Sequence, residues 1–279
     1  MHNPTKRPLM VDVNKHNQRS WDKKSAAGES PWVQPVTPGE IAAARSGDWQ
    51  VILTPTKSVP RSWFGDLKNK TLLGLASGGG QQIPIFSAAG AVVTSFDQSS
   101  EQLNKDAQVA QREGLAIECI QGDMADLSVF DDASFDIIFH PVSNIFAADI
   151  RPVWQHCARI LRPGGRLLSG FMNPDFYLFD HWAIEDGGPL EVRFKLPYAD
   201  LTHVDPATLE ARMAEGEALE FSHSLDEQIG GQLAAGLVVA GFYEDRWSEE
   251  ATPLNSYMAT SMATLAIKPA VGSELMPDV

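Results

Sequence analysis

The feature that most constrains the fold of this chain is an alternation of short apolar runs with helical patterns between residues 71 and 171. The apolar runs are residues 71–76, 91–96, 116–120, 135–139 and 166–171. Segments such as residues 99–114 and 150–161 repeat apolar residues at helical spacing. Strands separated by helices of this length predict βαβ units and a parallel sheet. Right-handed crossovers then place helices on both faces of that sheet.

The segments on either side of this region lack the alternation. We therefore divide the chain into five predicted parts. These are an N-terminal lid segment (1–69), a core (70–171), an insertion (172–224), a helix and two strands that complete the core (225–268) and a tail (269–279). In the first part, a capping-box pattern predicts one short helix over residues 37–46. In the later parts we predict strands over 190–196, 242–247 and 258–267 and helices over 206–215 and 225–240.

Charge and composition limit the classes of function. The formal net charge is −14, which disfavours nucleic acids and anionic membrane surfaces, because both are bound through Lys and Arg. No apolar run approaches the roughly 20 residues that span a bilayer, and the N-terminus lacks a signal-peptide pattern. Cys119 and Cys157 lie in apolar patterns without CxxC spacing. We therefore expect free thiols, no metal site and a cytoplasmic protein.

Glycine or polar residues follow four of the predicted strands. Gly78-Gly79-Gly80 follows the first, and Asp97 ends the second about 20 residues later, where an acidic side chain can bond ribose hydroxyls. Asp123 and His140 follow the third and fourth strands. Ligands of open α/β sheets bind beyond the carboxyl ends of the strands, so these residues predict one ligand site. The alternatives are a plain tight turn at the glycines, a helix cap at Asp97 and a solvated loop at Asp123.

The segments LLGLASGGG, FDQS, GDM, FDIIFHPVSN and LRPGG, in this order, resemble the class I S-adenosylmethionine (SAM) dependent methyltransferases, in particular the methyltransferase type 11 group. The resemblance covers residues 70–171. It implies a Rossmann-like, seven-stranded, mostly parallel sheet whose last strand is antiparallel, and SAM as the cofactor. A nicotinamide-binding oxidoreductase on a related fold is a second hypothesis. It is disfavoured because Ile83 replaces the third glycine of G-x-G-x-x-G.

The resemblance also implies which residues hold the cofactor. They are Ala76, Ser77, Gly78, Gly79, Gly80, Asp97, Gln98, Asp123, Met124 and His140. In the family, the glycine loop contacts the methionine part of SAM, the acidic residue contacts the ribose, and the residues after the third strand contact adenine. Two positions depart from the pattern: Gly74 stands where an acidic residue is usual, and Ala76 where glycine is usual. We expect another residue, from the N-terminal segment, to replace the acidic contact.

The predicted reaction is in-line methyl transfer to a small-molecule acceptor. We expect the N-terminal segment and the insertion to cover the site and exclude water from it. We predict His140 and His223 as catalytic residues and Trp63 and Asn144 as substrate-binding residues. The alternatives are that His140 contacts SAM only through its backbone, that His223 is a loop residue beside a helix cap, and that Trp63 packs the lid.

Several questions stay open at this point. His181 and His203 lie in the insertion, and the sequence does not rank them. A methyltransferase acting on a protein or tRNA partner is an alternative to one acting on a small molecule. The expected oligomeric state is a monomer or a homodimer. The atom that accepts the methyl group is not readable from the sequence.

Overall fold

The computed structural model describes residues 11–28, 30–248 and 250–270. Seven strands form one sheet: β1 (Thr71–Leu75), β2 (Val92–Asp97), β3 (Ile117–Gln121), β4 (Phe135–His140), β5 (Leu161–Met172), β6 (Val238–Asp245) and β7 (Ser261–Ile267). Their order is β3-β2-β1-β4-β5-β7-β6. The first five strands are parallel, and β7 runs antiparallel between β5 and β6. The predicted fold class is confirmed.

Nine α-helices lie in the described ranges. They are α1 (Val13–Ala27), α2 (Pro38–Arg45), α3 (Gln82–Ala88), α4 (Ser100–Glu113), α5 (Arg151–Ile160), α6 (His181–Glu185), α7 (Asp200–His203), α8 (Pro206–Glu215) and α9 (Gly231–Ala234). The predicted capping box is present at α2, and α8 has its predicted bounds. Among these helices none combines the length and apolarity that a membrane crossing requires.

The sheet separates two apolar cores, because successive strand residues point to opposite faces. Leu72 packs with Ile83 and Phe86 of α3 on one face. Leu73 packs with Trp154 of α5 on the other. The alternation in β1 therefore positions the glycine loop that follows it between two packed layers.

Helix α1 was not predicted from the sequence. Asp12 caps its first turn, and Gly28 ends it in a left-handed conformation with φ of 68°. Its buried residues are polar, Asn17, Ser20 and Ser25, so it lacks the apolar stripe that reveals an amphipathic helix. Hydrogen bonds hold it to the insertion instead: the Asn17 amide donates to the Leu219 carbonyl at 2.9 Å and accepts from the Leu219 N–H at 2.7 Å.

The predicted helix over residues 225–240 is confirmed only for residues 225–234, and its second part is wrong. A π-helical turn (Asp226–Gly230) leads into the short α9, and the chain then turns at Gly236, whose φ is 85°. Strand β6 begins at Val238, because β-branched residues favour extended backbone. The last two strands accordingly cover 238–245 and 261–267 rather than 242–247 and 258–267. The predicted strand over 190–196 is also wrong, since an isolated bridge joins Val192 to Phe179.

Candidate functional site

A cavity of about 780 Å³ lies beyond the carboxyl ends of the parallel strands. Its floor is formed by the segments that follow β1, β2 and β4. Its walls come from α1, including Trp21, and from the insertion, including Phe176 and His181. This volume falls in the range of roughly 300–1,000 Å³ that is typical of small-molecule sites.

The glycine loop and the end of β2 form one hydrogen-bonded unit at the floor. The Gly78 N–H donates to Asp97 Oδ2 at 3.1 Å, and the Ser99 N–H donates to Asp97 Oδ1 at 2.9 Å. A Cβ atom at Gly78 would lie 2.9 Å from the Cβ of Gln102. The loop therefore requires glycine there, because helix α4 passes too closely for a side chain.

Asp106, on α4, holds this loop through a hydrogen bond, and the sequence analysis did not predict this role. Its carboxylate accepts the Gly80 N–H at 2.7 Å and the Ser95 hydroxyl at 2.6 Å, and it is fully buried. Burial raises the pKa of Asp106 to about 7 and that of Asp97 to about 6. The available signal was position: Asp106 lies three residues after Leu103 and so shares the buried face of α4.

Two buried polar atoms beside the loop lack hydrogen bonds within the described ranges, Ser77 Oγ and Gln102 Oε1. Buried polar groups are normally paired, so both atoms are available to a ligand. Asp97 and Gln98 line the cavity next to them, and Met124 adds an apolar surface. A polar end beside an apolar surface fits the amino acid, ribose and adenine parts of SAM.

Of the residues predicted to bind the cofactor, some line the cavity and others lie outside its wall. Ala76, Ser77 and Gly78 line the cavity, whereas Gly79 and Gly80 are outside its wall. Asp123 is also outside the wall: its carboxylate accepts from the Asn14 amide of α1 and from the Ala125 N–H.

The structure explains the first departure from the family pattern and shows a cost for the second. A Cβ atom at Gly74 would collide with the Cδ1 of Ile83, which is fully buried. An acidic side chain at position 74 is therefore sterically excluded. Ala76 has a φ of 48°, a left-handed conformation in which glycine is free of strain and alanine is not.

His140 ends β4 with its ring in the core. Its Nδ1 lies 3.0 Å from the Leu75 carbonyl, Nε2 has no partner among the described residues, and burial lowers its pKa to about 4. The ring does not line the cavity, but Pro141, Val142 and Ser143 do. This placement favours the alternative in which the segment acts through its backbone.

His223 is likewise buried outside the cavity wall. Its Nε2 lies 2.9 Å from the Ala147 carbonyl and 3.2 Å from that of Asn144, and burial lowers its pKa. Next to it, Ser224 and Glu227 form the reciprocal hydrogen bonds of a capping box. This placement favours the alternative in which His223 lies beside a helix cap.

The two predicted substrate-binding side chains also lie outside the wall. Trp63 packs on Tyr243, with ring centroids 5.3 Å apart, and covers Gly241. The Asn144 amide is fully buried and donates to Gln228 Oε1 at 2.9 Å. Both residues stabilise the fold around the site.

The insertion brings an unpredicted polar cluster to the cavity. The Tyr177 hydroxyl donates to Glu220 Oε2 at 2.8 Å, and His181 Nε2 lies 4.0 Å from the same oxygen. All three residues line the cavity. His203 does not, since its ring packs on Tyr198 with centroids 5.1 Å apart. Residues 175–224 carry no clear periodicity, so no signal in the sequence predicted this cluster.

A buried carboxylate also positions the N-terminal wall. Asp245 accepts hydrogen bonds from the Thr54 hydroxyl at 2.7 Å and from the Thr56 and Lys57 N–H groups at 2.9 Å. Thr54 and Pro55 line the cavity. Asp245, at the end of β6, thereby ties the segment before β1 to the edge of the sheet.

Comparisons with known proteins agree with this geometry. Residues 73–169 match a family model described as a methyltransferase domain. The chain is 45% identical to the uncharacterized methyltransferase YbaJ of Bacillus subtilis over 253 residues, which is 91% of this chain and 97% of that protein.

Solved structures share the fold. A putative SAM-dependent methyltransferase from Listeria monocytogenes superposes with a TM-score of 0.58 and 15% identity, over 82% of this chain and 99% of the other. The 1,6-didemethyltoxoflavin-N1-methyltransferase of Burkholderia thailandensis, solved with 1,6-didemethyltoxoflavin and S-adenosylhomocysteine, gives 0.57 and 13%, over 96% and 93%.

Proposed function

Because this chain belongs to the class I SAM-dependent methyltransferases, in the methyltransferase type 11 group, we propose that it methylates a small-molecule acceptor by in-line displacement. The observation that carries the proposal is that the glycine loop and aromatic residues of the insertion line one shared cavity. The family membership replaces the hypothesis of a nicotinamide-dependent oxidoreductase.

SAM supplies a methyl group activated by its positive sulfonium. In our proposal, Ser77 Oγ and Gln102 Oε1 bind its amino acid part, since both are buried and free of partners among the described residues. The carboxylate of Asp97 accepts from the ribose hydroxyls with the lone pairs that its two backbone partners leave free. Gln98 and Met124 lie at the adenine end.

The remaining predicted cofactor residues act less directly in this proposal. Gly79 and Gly80 give the loop its left-handed turns, with φ of 123° and 76°. Asp123 holds α1 beside the adenine end through Asn14. His140 stays neutral, because burial lowers its pKa to about 4, and it orients the Pro141–Ser143 segment.

The acceptor end of the cavity supports a small molecule. Trp21 of α1 contacts Phe146 edge to face, with centroids 5.3 Å apart, so α1 closes one side. Phe176 and Met172 form an apolar surface opposite. Such walls exclude water from the reaction and leave room for a ligand rather than for a folded partner.

Two measurements test the proposed function. Calorimetry with S-adenosylhomocysteine and with NAD tests the cofactor, and we expect binding of the first alone. Incubation with tritiated methyl-SAM and a cell extract separated by size tests the acceptor. We expect label in the fraction of small metabolites. Label confined to protein or RNA would contradict a small-molecule acceptor while leaving methyl transfer intact.

A further inference from the structure

Among the histidines of residues 11–28, 30–248 and 250–270, His181 is the buried one that lines the cavity. It is 9% exposed, it lines the cavity, and among the described residues it forms no hydrogen bond. Glu220 Oε2 lies 4.0 Å from its Nε2. Its ring is held between those of Phe176 and Trp182, with centroids 5.4 and 5.5 Å away.

Glu220 is itself rigidly positioned. Its carboxylate accepts the Tyr177 hydroxyl at 2.8 Å, and its backbone N–H donates to Asp200 Oδ2 at 2.7 Å. The Tyr198 hydroxyl donates to the other oxygen of Asp200, and the Tyr177 and Tyr198 rings stack at 5.2 Å. A glutamate held both at its carboxylate and at its backbone N–H keeps one orientation relative to the imidazole beside it.

We propose that His181 is the general base that takes the proton of an acceptor hydroxyl, with Glu220 and Tyr177 as positioning residues. The inference rests on the proposed methyl transfer. Nε2 is the nitrogen near Glu220, so a proton on Nε2 is favoured and Nδ1 carries the lone pair. Nδ1 has no partner among the described residues, and burial lowers the pKa of His181. The ring is therefore neutral and able to accept a proton near pH 7.

The surroundings define the acceptor class. Four glutamates and two lysines line this end of the cavity, and one lysine is paired, Lys24 with Glu217 at 2.7 Å; the set is Glu185, Glu215, Glu217, Glu220, Lys23 and Lys24. The surplus of carboxylates repels an anionic acceptor. The aromatic wall favours a flat apolar molecule. A phenolic hydroxyl, with a pKa of about 10, can pass its proton to an imidazole, whereas an aliphatic alcohol is far less acidic. The structure thus points to an uncharged aromatic acceptor with a phenolic hydroxyl.

The step balances as follows. The acceptor oxygen forms a bond to the methyl carbon as the carbon–sulfur bond breaks, and the electron pair of that bond stays on sulfur. The hydroxyl proton passes to His181 and then to solvent. The products are a methyl ether, S-adenosylhomocysteine and one proton, so no oxidant or reductant is required.

The test uses a panel of phenols, with matched anilines and benzoic acids, and follows release of S-adenosylhomocysteine. In the wild-type protein we expect turnover of phenols in preference to the other two classes. For weakly acidic phenols, His181→Ala should lower kcat roughly 100- to 10,000-fold. Nitrophenols are already ionised at about pH 8, so the carboxylates should slow their turnover in the wild type and in the variant alike. The loss caused by His181→Ala should nevertheless shrink to less than about tenfold for them, because no base is needed. Added imidazole should restore part of the lost activity.

Matched variants separate catalysis from folding. His156→Asn, on α5 and outside the cavity wall, should retain wild-type turnover. Glu220→Gln and Tyr177→Phe should lower kcat more than they raise KM, again less for ionised phenols. Calorimetry with S-adenosylhomocysteine should show unchanged cofactor binding in His181→Ala. Equal losses for ionised and neutral phenols, or a wild-type protein that binds the cofactor but methylates no phenol, would overturn the inference. Absence of cofactor binding in the wild type would instead overturn the proposed function.

Discussion

The carboxylate of Asp97 accepts the backbone N–H of Gly78 at 3.1 Å, which joins the end of β2 to the loop after β1. The same carboxylate lines the cavity. One side chain therefore shapes the glycine loop and presents oxygen atoms to a ligand. Its burial has an energetic consequence, since a carboxylate away from water is costly unless it is hydrogen-bonded.

Replacement of Asp97 should weaken cofactor binding. We expect Asp97→Ala to lower the affinity for SAM by one to two orders of magnitude, because a hydrogen bond to a charged group contributes roughly 1.5–3 kcal/mol. Calorimetry with SAM and S-adenosylhomocysteine measures the change. Asp126→Ala, an exposed aspartate outside the cavity wall, is the control. An unchanged affinity in Asp97→Ala would contradict the ribose assignment.

Asp106 should make stability depend on pH. Its pKa is raised from 3.8 to about 7 in the folded state, so its ionisation opposes folding increasingly from about pH 4 to pH 7 and fully above that. Asp106→Asn cannot ionise but keeps an oxygen for the Gly80 N–H. The free energy of unfolding of this variant minus that of the wild type should therefore be larger at about pH 8 than at about pH 5, which means that the variant is relatively more stable at the higher pH. Urea unfolding at both pH values checks this, and a difference that does not vary with pH would refute it.

Replacement of Ala76 by glycine should stabilise the folded protein. Its φ of 48° strains an alanine, so Ala76→Gly should change the free energy of unfolding by up to about 1 kcal/mol in favour of the folded state, after the greater backbone entropy of unfolded glycine is offset. Ala133→Gly is the matched control, because Ala133 has a similar φ of 52° and is distant from Ala76 in the sequence. Thermal unfolding measures both variants. Destabilisation at position 76 alone would mean that the Ala76 methyl group contributes packing that outweighs the strain.

Gly74 should reject any side chain while Ile83 is present. A Cβ atom there would collide with Cδ1 of Ile83 in a filled core, and overpacking costs typically 1–3 kcal/mol. Ile83→Val removes Cδ1, at a cost of about 0.5–1.5 kcal/mol alone. The double variant with Gly74→Ala should be more stable than the sum of the two single losses implies. Additive losses in urea unfolding would argue against this contact.

The cofactor end was largely predictable because its signals are local. The apolar run of β1, its glycines and the residue at the end of β2 lie within about 30 residues, and the parallel sheet brings strand ends together wherever the helices pass. Asp106 was missed because a lone aspartate in a helix is normally exposed. Helix α1 was missed because its buried face is polar, with Asn17 bonded to Leu219.

The sequence alone determined the sheet and its carboxyl edge, since side-chain periodicity and glycine turns are properties of short segments, and the resemblance of its motifs to a family indicated the class of cofactor. Only the tertiary structure decided which histidine faces the cavity. His140 and His223 lie next to a strand and a helix that the sequence predicts, yet their rings are buried in the core. His181 lies in the insertion, which has no hydrophobic periodicity. Its position depends on contacts with Glu220 and Tyr177, and Glu220 is far along the chain. Such long-range packing leaves no trace in local sequence patterns.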